Sequence, residues 1–327
     1  MKTVKLGSQG LTVSEQGLGA MAMTGWYGAT DEAEAIATLN HAVDIGVTHI
    51  DTAEIYGPIT NEVLVGRALG NRRDEVTIAT KFSADIQEDG TILGSDGSPE
   101  HVHRAIDRSL RHLGVDSIDL YYLHRVDPNV PIEETVGAMG ELVTAGKVRY
   151  IGLSEAAPDT IRRGHATFPL TALQSEYSLF ERGAEHNGVK DVLQDLGIGF
   201  VAFSPLGRGF LSGKIRNLDD LETADVRRYL PRFTPENLEA NVRLLDALGA
   251  IAESKGVTAS QLTLAWVIQQ GVLPIPGTRR AAHVDENAQA SEITFTADEL
   301  ARIDAIVPFN AAAGERDLPA GLAANYK

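Results

Sequence analysis

Eight short runs rich in β-branched and aromatic residues recur along this chain, with stretches of helical spacing between them. The runs lie near Gln16–Gly19, Val47–Asp51, Val76–Lys81, Ser117–His124, Val148–Ser154, Thr171–Gln174, Gly199–Ser204 and Leu273–Pro276. Near-continuous apolar runs mark strands covered on both faces, as in parallel sheets. Helical patterns fall near Asp31–Ile45, Asn61–Leu69, Pro99–Leu113, Ile132–Ala145, Pro158–His165, Val189–Leu196 and Val284–Ala290. Thr30 or Asp31 can cap the first, and Ser98 with Pro99 opens the third. Gly46, Gly70, Gly114 and Gly146 follow helix ends, where a left-handed residue is wanted. Alternation of this kind implies βαβ units, and eight of them predict an α/β fold, a (β/α)8 TIM barrel spanning residues 1–327 as one domain.

Two features exceed the plain repeat. VKLGSQGLTV reads as an N-terminal hairpin around Gly7–Gly10, placed to plug the barrel bottom. Between the seventh and eighth runs lie a polar loop, Gly207–Pro235, and two helical patterns, Glu236–Lys255 and Ala259–Gln270. A long loop inside a compact domain is usually functional, so long loops are expected at the C-terminal face. The Ala- and Gly-rich end reads as a C-terminal arm.

Composition narrows the function classes. The balance of 29 basic and 45 acidic side chains gives a net charge of −16, which argues against nucleic acid as a partner. Without Cys there are no disulfides or thiolate metal sites, and no metal-ligand spacing stands out among the nine His. MKTVKLG has no apolar signal-peptide core, and no uncharged apolar run is long enough to span a membrane. The expectation is a cytoplasmic protein with no membrane partner. Its oligomeric state is not legible.

Four residue types stand at or just past strand-like runs: Asp51 and Tyr56 in DTAEIYG, Lys81 in VTIATKF, and His124 in DLYYLHRVD. Strand ends from distant parts of a barrel converge on its C-terminal face. There Tyr56 is a candidate acid. A free phenol has a pKa of about 10, and an ammonium nearby lowers it. Lys81 supplies that ammonium, Asp51 holds Lys81, and His124 donates to the oxygen that receives the proton. Each residue also has an ordinary alternative as a surface aromatic, a solvated lysine, an Asx turn or a satisfied histidine. A hydrolase with paired carboxylates is a weaker reading, because Glu54 is the only acid accompanying Asp51.

Gly17-Leu-Gly19-Ala-Met-Ala22 matches the dinucleotide fingerprint, but no helix can start directly after it, which that fingerprint requires. Ile275-Pro276-Gly277-Thr278-Arg279-Arg280 is the better phosphate site. It follows the eighth run, where barrels commonly hold phosphate. Gly277 admits close approach, Thr278 offers a hydroxyl, and the arginines offer forked charge.

At these residues the sequence resembles the aldo-keto reductase family. The matching runs are DTAEIYG, ATKF and LHRVD, with GLSE at Gly152–Glu155, QSEYS at Gln174–Ser178, SPLGRGFLSGK at Ser204–Lys214, IPGTRR, and DEN at Asp285–Asn287. The resemblance implies NADP(H) extended across the barrel's C-terminal face, and Tyr56 as general acid with Asp51, Lys81 and His124. Ser154 and Gln174 would hold the nicotinamide carboxamide, with Phe203 against the ring. Ser204, Leu206 and Gly207 would meet the pyrophosphate under a loop running from Arg208 to Lys214. Thr278 and Arg279, flanked by Pro276 and Gly277, would meet the 2′-phosphate, and Glu286 and Asn287 the adenine. Glu155 stands where many members have Asn and cannot donate a hydrogen bond, so it is left out of the site. His283 replaces a basic residue. The implied reaction is reduction of aldehydes or ketones to alcohols. Met21, Met23, Trp26 and Tyr27, beside Tyr56 and His124, would wall a small-molecule carbonyl substrate. The alternative is a cofactor-binding regulatory module, like the β subunit of a potassium channel, with slow turnover.

Overall fold

The computed structural model describes residues 1–87 and 91–327. Eight parallel strands make the wall: β1 (Gly17–Gly19), β2 (His49–Asp51), β3 (Thr77–Phe82), β4 (Ile118–Leu123), β5 (Val148–Ser154), β6 (Ala172–Glu176), β7 (Gly199–Phe203) and β8 (Leu273–Pro274). Each pairs with its neighbours in sequence order, and a parallel bridge between Gly19 and Gly277 closes the ring. Helices α1 (Glu32–Asp44), α2 (Thr60–Leu69), α3 (Pro99–Leu113), α4 (Ile132–Thr144), α5 (Pro158–Thr167) and α6 (Val189–Leu196) follow the first six strands in turn. Helices α7 (Pro235–Lys255) and α8 (Ala259–Gln269) separate β7 from β8, and α9 (Ala281–Ala288) follows β8. This is the (β/α)8 TIM barrel that the alternation predicts.

Local chemistry accounts for the boundaries. The Asp31 side chain accepts from the Glu34 N–H at 2.9 Å, and the Ser98 hydroxyl accepts from the His101 N–H at 3.3 Å. Both satisfy N–H groups that a first helical turn leaves without partners. Side chains alternate along each strand. Leu120 and Tyr122 of β4, Ala172 of β6 and Val201 of β7 pack inside the barrel. The N-terminal hairpin, Thr3–Lys5 against Thr12–Ser14, inserts Leu6, Leu11 and Val13 into the same cluster and so plugs the bottom. A second layer between strands and helices holds the larger apolar cluster.

The fingerprint-like glycines have a packing cause. A Cβ at Gly17 would lie 2.8 Å from His49 and 2.9 Å from Ile275, and one at Gly19 would lie 2.9 Å from the Ile275 carbonyl. They permit β1 to close against β8. A 3₁₀ turn follows at Met21–Thr24, and α1 begins only at Glu32.

Three elements are additional to those expected. A hairpin, Ala84–Ile86 with Ile92–Ser95, extends beyond β3. Its outer strand is exposed throughout, so it carries no alternating apolar pattern. Helix α10 (Ala297–Ile306) is capped by Thr296 with Glu299 but buries only Ile303, too little for a visible apolar stripe. A short helix, α11 (Pro319–Ala323), lies in the C-terminal arm. The loop after β7 is a succession of 3₁₀ turns around buried Phe210, Leu211, Leu221, Leu230 and Phe233.

Candidate active site

The two-residue strand period fixes which side chains reach the upper barrel interior. Continuing the inward rows Ala79–Lys81, Leu120–Tyr122–His124, Ala172–Gln174 and Val201–Phe203 places a polar layer above the apolar plug. Asp51 ends β2 opposite Ala79, and Ser154 ends β5 opposite Gln174, so both pair with members of the inward rows. Asp51, Lys81, Ser154 and Gln174 are all buried.

Lys81 and Asp51 form an ion pair inside the barrel, where Lys81 is fully buried. Lys81 Nζ also donates to the Thr52 carbonyl at 2.7 Å, and Gln174 Nε2 donates to the other Asp51 oxygen at 2.7 Å. Burying an ion costs several kcal/mol unless partners surround it, and here both ions are multiply partnered. Burial alone would pull the Lys81 ammonium down. The Asp51 carboxylate and the Tyr56 phenol outweigh it and hold Lys81 above its ordinary 10.5.

Tyr56 sits in the turn between β2 and α2. Its ring centroid lies 5.2 Å from Lys81 Nζ, and its ring meets that of His124 edge-on at 5.9 Å. Burial raises the phenol above its ordinary 10, and the opposing pull of Lys81 does not cancel it. The ammonium alone would lower the phenol, as the sequence suggests, and burial reverses the direction. A phenol held above 10 stays protonated at neutral pH and has a proton to give. Burial, with the Arg125 and Lys81 charges, holds His124 well below 6.5. It is a neutral imidazole with one N–H to donate. The pH profile of kcat/KM for any reaction in which Tyr56 gives its proton is therefore expected to show no inflection near 6.5 and to fall only on the alkaline side of 10. An inflection near 6.5 that His124→Gln abolished would refute this protonation state.

Arg125 is an unanticipated contributor. Its Nη1 donates to the His124 carbonyl at 2.7 Å and to Ser154 Oγ at 3.2 Å. A guanidinium only donates, so the Ser154 O–H remains available as a donor. Glu54 does not face Asp51 across a substrate space. It is buried, takes Arg108 Nη2 at 2.5 Å and the Ser83 and Ala84 N–H groups at 3.2 Å, and is pushed up to about 7 by burial. It ties the β3 end to α3.

Two cavities meet above this layer. The inner one, about 150 Å³, is lined by Met21, Asp51, Tyr56, Gln174 and Phe203, and by loop residues Ser204, Leu206 and Arg208 with Pro276 and Gly277. The outer one, about 360 Å³, is lined by Lys214, Thr278, Arg279, Arg280, His283, Glu286 and Asn287. Leu206, Gly277, Tyr27 and Arg227 belong to both. Arg227 lies 4.6 Å over the Tyr27 ring and donates to the Arg208 carbonyl at 2.9 Å. Nothing in the local spacing of the polar loop marks Arg227 for this place. Gly207 and the non-glycine residues Ser204 and Arg208 have left-handed φ of 56°, 48° and 57°. Such strain concentrates at ligand sites.

Lys214 Nζ lies 2.9 Å from His283 Nε2, and Thr278 Oγ1 lies 3.2 Å from His283 Nδ1. Burial and the Lys214 charge hold His283 below 6.5. Arg279 donates to the Ala29 carbonyl and has no ion-pair partner among the described residues. Glu286 Oε1 accepts from the Thr258 hydroxyl at 2.8 Å. Met23 is buried core, and Trp26 is 36% exposed, outside both cavity linings. A groove of about 560 Å³ at the barrel bottom is lined by hairpin residues with Lys190 and Gln194, away from the convergent groups.

The family model of the aldo/keto reductase family matches residues 16–308, and the chain belongs to that family. It is similar in structure to the glycerol dehydrogenase AKR11B4 of Gluconobacter oxydans, with 27% identity, a TM-score of 0.83, and 93% of this chain and 94% of that one covered. An aldo/keto reductase of Klebsiella pneumoniae, solved with NADP and acetate, is 30% identical at a TM-score of 0.75, covering 97% and 99%. A thermostable aldo-keto reductase solved with the inhibitor epalrestat is 29% identical at a TM-score of 0.74, covering 94% and 100%. Members of the family are oxidoreductases that use nicotinamide cofactors on small carbonyl compounds. Among the described residues, no helix is long and apolar enough to cross a membrane, and no group of acidic and histidine side chains could hold a metal ion.

Proposed function

We propose that this chain is an NADPH-dependent reductase of aldehydes and ketones, with Tyr56 as the general acid. The observation that carries the reading is the buried set of Tyr56, Lys81 and Asp51 beside neutral His124, opening into the inner of two joined cavities.

The residues suit an extended dinucleotide. The inner cavity offers Gln174 and Phe203 beside Ser154, fit for a carboxamide and a flat ring. The outer one gathers Lys214, Thr278, Arg279 and Arg280, donors suited to a phosphate monoester. At Gly277 an added Cβ would lie 3.3 Å from the Gly19 carbonyl, so the wall there is backbone and admits close approach. The Klebsiella relative solved with NADP supports the same assignment.

A reduced nicotinamide, when bound, supplies hydride for the carbonyl carbon. The chain's residues manage the oxygen. Tyr56 passes its phenolic proton to that oxygen. Lys81 stabilises the phenolate left behind and is itself held cationic by Asp51. His124 donates its single N–H to the same oxygen and fixes its direction. Gln174 spans both tasks, because its amide N–H₂ is committed to Asp51 while its carbonyl oxygen remains for the carboxamide. Met21 in the lining makes an apolar or aromatic aldehyde the favoured substrate.

The test is a panel of aldehydes, ketones and sugars with each reduced cofactor, followed by nicotinamide absorbance. Steady turnover of 4-nitrobenzaldehyde with NADPH supports the reading, and binding without turnover would favour the regulatory alternative. Preference for NADPH is assigned to Arg279. Arg279→Ala is expected to raise the NADPH dissociation constant about tenfold or more, the scale of one charged hydrogen bond, and to leave that for NADH in place. An unchanged NADPH constant would refute the assignment.

A further inference from the structure

We infer that Glu155 is a positioning residue for the nicotinamide half of the cofactor, held in place by Arg316 of the C-terminal arm. The inference rests on the NADP(H) reading above. Glu155 follows Ser154 directly at the end of β5, with a left-handed φ of 53°. Nothing about glutamate favours that conformation, so surrounding contacts must impose it.

Those contacts come largely from the arm. Glu155 is fully buried and Arg316 is 6% exposed by side chain. Arg316 Nη1 donates to Oε1 at 3.0 Å and Nη2 donates to Oε2 at 2.5 Å, a two-pronged fork. The Glu176 N–H donates to Oε1 at 2.8 Å. On the backbone side, the Tyr326 N–H donates to the Glu155 carbonyl at 2.6 Å, and the Ala157 N–H donates to a backbone oxygen of Lys327 at 2.9 Å. Arg316 also lies 5.1 Å over the Tyr326 ring. The arm thus grips the turn after Ser154 by side chain and by main chain.

The same segment reaches the loop over the cofactor groove. Arg208 Nη2 donates to Asp317 at 3.3 Å and lies 3.5 Å from Glu176. Glu176 in turn lies 3.7 Å from Arg316. Adjacent residues of the arm therefore contact the turn that presents Ser154 and the loop that carries Arg208. A forked pair fixes direction as well as distance, and a binding group must sit within about 0.5 Å of its working place to be effective. Glu155 cannot donate to a carboxamide. Its carboxylate faces Arg316, and its effect on the cofactor passes through Ser154.

The experiment compares two ligands. NADPH spans both cavities, whereas 2′,5′-ADP carries only the adenosine and phosphate half. The double variant Glu155→Gln with Arg316→Met removes both charges of the fork and keeps Arg208 at 3.5 Å and Arg232 at 3.6 Å from Glu176. It is expected to raise the NADPH dissociation constant by up to about tenfold, the scale of one neutral hydrogen bond, with that of 2′,5′-ADP unchanged. The two single variants should be non-additive on the same readout. Arg316→Lys keeps the charge, loses the fork, and should shift NADPH in the same direction by less. Unchanged NADPH binding, or equal weakening of both ligands, overturns the inference, since equal weakening marks general loosening. If the unaltered protein binds neither ligand, the cofactor reading itself fails.

Discussion

Replacing Tyr56 by Phe is expected to lower kcat for aldehyde reduction by about 10²–10⁴-fold, the range that a positioned general acid contributes. The substitution removes one oxygen and keeps the ring, so the edge-on contact with His124 and the wall of the inner cavity persist. The NADPH dissociation constant should therefore stay in place, and kcat and kcat/KM should fall together, as when an interaction made only in the transition state is lost. His124→Gln keeps a donor near the oxygen and should cost less than Tyr56→Phe. Near-wild-type reduction of 4-nitrobenzaldehyde by Tyr56→Phe would show that the proton comes from elsewhere, and equal losses in both variants would leave the two roles undivided. The alkaline limb of the wild-type profile is a second readout. Burial raises the phenol, so the limb should lie above 10 and vanish from the residual activity of the variant.

The parts of this barrel that were legible in sequence are those governed by short-range periodicity. Strand parity carries Lys81, His124, Gln174 and Phe203 to one interior level because each continues an inward row, and such rows can be counted from the strand run alone. The helix caps at Asp31 and Ser98 were legible for the same reason, since a cap acts within three residues. What was hidden depends on long-range pairing or on burial. In sequence Glu155 has no visible part in the site, because a carboxylate cannot donate to a carboxamide. Its partner Arg316 is 161 residues away and could not be read from its own neighbourhood. Lys81 alone would lower the Tyr56 phenol, but the larger effect is desolvation, which exists only once the barrel has closed. Arg227 and Tyr27 meet at the junction of the cavities through a loop built of 3₁₀ turns, which have no apolar period to count. The outer strand of the hairpin after β3 presents Ile92 and Leu93 to solvent and has no buried face to betray it, and the inner strand buries only Ala84 and Ile86.

Replacing Lys81 by Met should be the most costly single change to stability near the site. The methionine fills similar volume but leaves the Asp51 carboxylate in the barrel with Gln174 as its remaining side-chain donor. Breaking a buried ion pair by removing one partner costs about 3–5 kcal/mol, which should appear as a lower denaturant midpoint and a lower melting temperature. The pair also predicts how stability changes with pH. Lys81 is raised above 10.5 in the folded barrel. Its stabilising contribution is therefore complete below 10.5, where the unfolded chain also carries the proton, and is lost as pH rises through the higher folded value. Lys81→Met should be less stable than the unaltered protein at neutral pH and should lack the alkaline loss due to Lys81. Adding Asp51→Asn to Lys81→Met removes the stranded charge and should restore part of the stability without restoring activity, because no ammonium is returned to stabilise the Tyr56 phenolate. If Lys81→Met unfolded at the wild-type midpoint, the ammonium would not be serving as a buried counter-ion. The activation of Tyr56 by Lys81 would then need another source of charge.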